Sequence, residues 1–125
     1  MYLPKMKAAV LTRLNKPLEI ISEIEFSAPG RGQVLVKLAY SGVCHSQLME
    51  ARGRRGADPY LPHLLGHEGS GKVISIGKGV SKVNPGDLVV LGWIKGSGLE
   101  GGGMQYHCDC LPQKINAGGV TTFNE

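Results

Sequence analysis

Two residues have side chains and settings that could do chemistry together. Cys44 lies in Gly42-Val43-Cys44-His45-Ser46 and His67 in Gly66-His67-Glu68-Gly69-Ser70-Gly71, each segment opened by a glycine that lets backbone come close to a site. A thiolate and an imidazole are two ligands of a catalytic zinc, which takes three protein ligands and keeps a fourth position open. Glu68 offers a carboxylate that could support His67 or enter the metal's coordination sphere, and Ser46 offers a hydroxyl able to accept a hydrogen bond from a substrate. No obvious third ligand appears after His67. Taken singly, Cys44 could be a small buried hydrophobe and His67 a satisfied core histidine; it is their surroundings that favour chemistry.

The elements that must position these residues are mostly strands. Nineteen glycines and seven prolines among 125 residues divide the chain into short segments rich in Val, Ile and Leu. Lys7 to Leu11 and Leu18 to Ile24 read as paired strands joined by a turn at Asn15-Lys16-Pro17. Gln33 to Tyr40 alternates Val34, Val36 and Leu38 with its other residues, as a half-buried strand does. Cys44 to Ala51 is the one short helix expected, closed by Arg52-Gly53, and it puts Cys44 at a helix amino terminus, where backbone N–H groups favour the thiolate. Strands are expected again at Ser70 to Ile76 and at Asp87 to Trp93, the latter launched by Asn84-Pro85-Gly86. The regular spacing of short strands predicts a mostly β fold, a small barrel or sandwich, and no repeat is visible.

Several other features carry less. Gly96 to Gly101 matches G-x-G-x-x-G, but no helical pattern follows in Met104-Gln105-Tyr106-His107, so no helix amino terminus is available for a pyrophosphate. His63 and His67 are four apart, yet Pro62 and Gly66 break a helix there, and His63 reads as a loop residue. The three cysteines give no disulfide framework, and Cys108 and Cys110, even with His107, fall short of a closed four-ligand zinc site; as free thiols they would sit in a mobile, oxidation-prone loop. The net charge of +4 is scattered. Its densest group, Arg52-Gly53-Arg54-Arg55, is too narrow for a nucleic-acid footprint and reads as a solvated loop or one facing an anionic cofactor or partner domain. Without a cleavable apolar leader or a long apolar run, the expected setting is the cytoplasm, with no membrane contact.

Gly42-Val43-Cys44-His45-Ser46, Gly66-His67-Glu68-Gly69-Ser70-Gly71 and Val83-Asn84-Pro85-Gly86-Asp87-Leu88-Val89, in that order, resemble the amino-terminal part of zinc-dependent medium-chain alcohol dehydrogenases; the resemblance begins at Lys7 and covers nearly the whole chain. It implies a GroES-like, partly open β-barrel over residues 1–125 with one short helix after Cys44. A Rossmann domain for NAD or NADP is expected further along the polypeptide. It further implies that Cys44 and His67 ligate the catalytic zinc, that Glu68 neighbours or transiently binds it, that Ser46 starts the proton relay, and that His45 contacts cofactor phosphate. The family's remaining cysteine ligand lies beyond this chain. Gln47 stands where many members have an aspartate supporting the histidine ligand, and Met49 where some have the relay's last histidine, so proton exit needs another route.

The full-length protein is thus expected to oxidise a small alcohol to an aldehyde or ketone, to be capable of oligomerising, and to be inactive as this isolated domain. The alternatives are a non-enzymatic GroES-like assembly module and a zinc-free quinone reductase-like relative. The Cys44, His67 and Glu68 set speaks against both.

Overall fold

A computed structural model describes residues 5–94, 97–99, 101 and 104–116. Half of the expected glycine-rich loop from Gly96 to Gly103 and all of the segment after Asn116 fall outside them. The chain forms two compact units. The first takes the described residues through Ser27, then Val43–Leu65 and those from Met104 onward; the second takes Ala28–Gly42 and the described part of Gly66–Gly103.

The first unit holds an open five-stranded sheet in the order β2-β1-β4-β8-β7, made of β1 (Met6–Leu11), β2 (Glu19–Ile24), β4 (His63–Leu64), β7 (Gln105–Tyr106) and β8 (Ile115–Asn116). β1 and β2 pair antiparallel, as the short turn between them favours, with Val10 opposite Glu19 and Ala8 opposite Ile21. A register shift between Met6 and Ala8 absorbs an extra residue on β2, where Glu23 has φ 63°. Val10, Ile24 and Ile115 are fully buried and pack with Ile21 and Cys108 into the core, with Met6, Leu64 and Tyr106 against its edge. Burial pushes the Tyr106 phenol above its ordinary pKa.

The helix α1 (His45–Ala51) belongs to the same unit, and its two ends have separate causes. At its start Cys44 is the extended N-cap residue, φ −126° and ψ 171°. At its end Gly53 adopts φ 69°, its N–H donates to Glu50 O at 3.0 Å, and the Arg54 N–H donates to Met49 O at 2.9 Å. That bonding is a Schellman motif, which needs a residue tolerant of the left-handed region after the cap, as the Arg52-Gly53 reading anticipates. The Asn15 N–H from the β1–β2 turn donates to Ala51 O at 2.7 Å and fastens the helix end to the sheet.

The second unit is an open three-stranded antiparallel sheet, β3-β5-β6, of β3 (Val34–Ser41), β5 (Gly69–Ile76) and β6 (Leu88–Leu91). β5 alternates as predicted: Gly71 and Val73 are buried while Lys72 and Ile74 are exposed. β3 departs from the half-buried expectation. Register shifts at Leu35/Val36 and Leu38/Tyr40 break its alternation, and it is exposed from Lys37 onward. The turn before β6 forms as the sequence indicates: the Asn84 N–H donates to Asp87 Oδ2 at 2.8 Å, the Asp87 N–H to Asn84 O at 3.1 Å, and Gly86 takes φ 101°.

Two further expectations are corrected. His63 is not a loop residue: it is buried on β4, between Leu11 of β1 and Asn116 of β8. A two-residue strand is too short to show a period, and only pairing with β1 and β8 creates it. The cysteines do form a bridge, Cys108 to Cys110, which takes both sulfurs out of metal ligation and leaves Cys44 outside any disulfide. After the glycine-rich loop comes the strand β7 rather than a helix.

Candidate metal and proton-transfer residues

Cys44, half-buried, ends the extended segment that enters α1. Its N–H donates to Oε1 of Gln47 at 2.6 Å, so the residue three places into the helix folds back to satisfy the backbone at the cap. This gives Gln47 a role that the family comparison of its position conceals. A Gln three residues past a cap is a readable signal for that role. Ser46 Oγ lies 2.8 Å from Cys44 Sγ. With sulfur as thiolate, the Ser46 O–H donates to it, which stabilises the negative charge and leaves the serine oxygen's lone pairs to accept from a substrate hydroxyl. His45, the first helical residue, is exposed.

His67 and Glu68 stand in the second unit, just ahead of β5. Gly66 takes φ 123°, a backbone conformation that a side chain at this position would strain, and thereby sets the direction in which His67 leaves the turn. The His67 side chain is about one-fifth exposed and that of Glu68 about half. His67 Nε2 to Glu68 Oε1 is 3.9 Å, too long for a hydrogen bond, so the carboxylate is not locked onto the ring. The Gly42 N–H donates to Glu68 O at 3.1 Å, and a Cβ on Gly42 would come within 2.5 Å of Glu68 Cγ. Gly42 is therefore small so that the Glu68 side chain can lie across it.

The structure thus brings Cys44 together with Ser46 and Gln47, and His67 together with Glu68. Thiol, imidazole and carboxylate are the donor types of zinc sites, so the residues present fit that metal. A further polar group, missed by the sequence reading, surrounds His63: its Nδ1 is 2.7 Å from Asp58 Oδ2, with the two side chains 7% and 9% exposed. No local pattern announces it, because it depends on β4 being paired.

Comparison with known proteins gives a consistent result. The alcohol dehydrogenase GroES-like domain family matches residues 30–124. An S-(hydroxymethyl)glutathione dehydrogenase of Escherichia coli O1:K1 / APEC is 46% identical over 88 residues, covering 69% of this chain and 23% of the relative. Among solved structures, an alcohol dehydrogenase zinc-binding domain protein from Burkholderia ambifaria superposes with TM-score 0.60 at 33% identity, covering 66% of this chain and 21% of that one. CAD from Helicobacter pylori, complexed with NADP(H), superposes with TM-score 0.58 at 31% identity, covering 69% and 24%. The chain spans about a quarter of the length of these proteins. Its strand order, the single short helix among its described residues and a family match over most of the chain place it in the alcohol dehydrogenase GroES-like domain family.

Proposed function

We propose that this chain is the catalytic-domain portion of a zinc-dependent, NAD(P)-linked alcohol dehydrogenase, with Cys44, His67 and Glu68 as zinc ligands, Ser46 as proton acceptor and His45 against a cofactor phosphate. The observation that carries the reading is the 2.8 Å contact of Cys44 Sγ with Ser46 Oγ at a helix start, in a chain of this family. Zinc held there supplies a Lewis acid that makes a substrate alcohol more acidic. Ser46 takes up the hydroxyl proton at Oγ and passes its own proton on, for which its O–H must turn away from the sulfur. Met49 can accept no proton, so the proton leaves Ser46 by a route that does not use this position.

The larger part of the relatives has no counterpart in this chain, and we assign the Rossmann domain and the third firm zinc ligand to that part. The substrate is then a small alcohol or aldehyde met between the two, and oligomerisation belongs to the complete protein. Among the described residues no helix is long and apolar enough to cross a membrane, and we place the protein in the cytoplasm, without membrane or nucleic-acid partners.

Zinc content after dialysis against a fixed zinc concentration tests the ligand set. With Glu50→Gln present in every protein, so that no zinc is counted at the Glu50, Asp58 and His63 group, Cys44→Ser and His67→Ala are each expected to lower bound zinc at least tenfold. Equal zinc in all three proteins refutes the assignment, and robust alcohol oxidation by these 125 residues alone refutes the division of labour.

A further inference from the structure

At the other end of α1 from Cys44, Glu50 comes together with Asp58 and His63. One ligand atom from each lies within 4.8 Å of the other two. All three belong to the first unit. Glu50 is six residues past the N-cap, about 9 Å along the helix axis, so this group shares no residue with the Cys44 set.

Each member is held by backbone. His63 is fixed in the ladder between β1 and β8. Asp58 Oδ1 accepts the Tyr60 N–H at 2.8 Å, which pins its carboxylate while Oδ2 faces the imidazole. Glu50 lies in the last turn of α1, which the Gly53 motif closes. Two carboxylates converge on one imidazole, with Asp58 nine-tenths buried. The cation beside them, Arg55, is more than half exposed and 3.7 Å from Glu50 Oε1. Such a concentration of negative charge, part of it desolvated, is relieved by a positive charge inside the group, either the imidazolium of His63 or a bound cation. Ligands about 2.1 Å from one ion stand roughly 3.0 to 3.4 Å apart at octahedral or tetrahedral angles and about 4.2 Å at most, so side-chain adjustment alone would let one ion touch all three.

We propose that Glu50, Asp58 and His63 form a second metal site, for a divalent transition cation with one nitrogen and two oxygen ligands. Its donor set contains no sulfur. That separates it chemically from Cys44, because a thiolate ligand gives Co2+ an intense sulfur-to-metal charge-transfer band and nitrogen and oxygen ligands do not.

The test is Co2+ titration of the whole chain, following total bound cobalt and the charge-transfer band together, in the wild type, Glu50→Gln and His63→Asn. Circular dichroism checks folding. Glu50→Gln, at a side chain about one-third exposed, is the variant that should keep the fold. The expected result is that Glu50→Gln weakens the sulfur-free cobalt site at least tenfold, leaves any charge-transfer band unchanged, and that His63→Asn does the same. A folded Glu50→Gln chain that binds as much sulfur-free cobalt as the wild type overturns the proposal, as does a folded wild type that binds none. Absence of any charge-transfer band in the wild type would instead count against the Cys44 assignment.

Discussion

Replacing Asp58 by alanine removes the acceptor of the most buried charge-assisted contact among the described residues, the 2.7 Å bond to His63 Nδ1. A hydrogen bond involving an ionised partner contributes about 1.5 to 3 kcal/mol, and leaving a buried imidazole donor unpaired adds to the loss. The Tyr60 N–H also loses its acceptor, but Tyr60 is exposed and water replaces most of that bond. Together these predict a loss of about 2 to 4 kcal/mol. For 125 residues the unfolding entropy is about 0.26 kcal/mol per kelvin, so Tm should fall by roughly 8 to 15 °C. The assay is urea and thermal unfolding at neutral pH with a chelator present, so that metal binding does not contribute. Asp58→Asn, which keeps an acceptor oxygen without the charge, should lose about half as much. A double-mutant cycle with His63→Gln should show coupling above about 1 kcal/mol. If Asp58→Ala stays within about 0.5 kcal/mol of the wild type, the pair is solvated in practice and the reasoning fails.

Gln47→Ala should cost about 0.5 to 2 kcal/mol by exposing the Cys44 N–H at the cap, and amide hydrogen exchange should speed up through α1. Unchanged exchange at Cys44 would show that water caps the helix equally well. At Gly77→Ala a Cβ would overlap the Gly30 carbonyl and crowd Gln33 O, so the backbone must part and the Gly77 N–H to Gln33 O bond of 2.8 Å is lost. The expected destabilisation is about 2 to 4 kcal/mol by denaturant unfolding, and a neutral result would show that the turn relaxes freely.

The strands with a period and the turns with a chemistry were legible. β1 and β2 form as the pair expected, β5 alternates, and Asn84-Pro85-Gly86 and Arg52-Gly53 form the turn and the helix stop that their residue types favour. Three strands of two residues each were not, since no period exists in two residues. The loss of alternation in β3 followed from its two register shifts, which depend on how it meets β5. Cys44 and Ser46 could be linked from the sequence because they lie two apart at a helix start. Asp58 and His63 could not, because nothing local requires a proline-rich segment to fold back and bring Asp58 to the ring.

The family, and through that resemblance the candidate zinc ligands Cys44, His67 and Glu68, could be read from the sequence by itself, because the motifs that carry the resemblance are residue types at short spacings within each segment. What only tertiary structure decided was the surroundings. Pairing of His63 between β1 and β8 buries an imidazole and makes its contact with Asp58, and the chain's return puts Glu68 across Gly42. The reason is physical: a hydrogen-bond partner several residues away, or on another strand, is chosen by packing and desolvation, which no local pattern records.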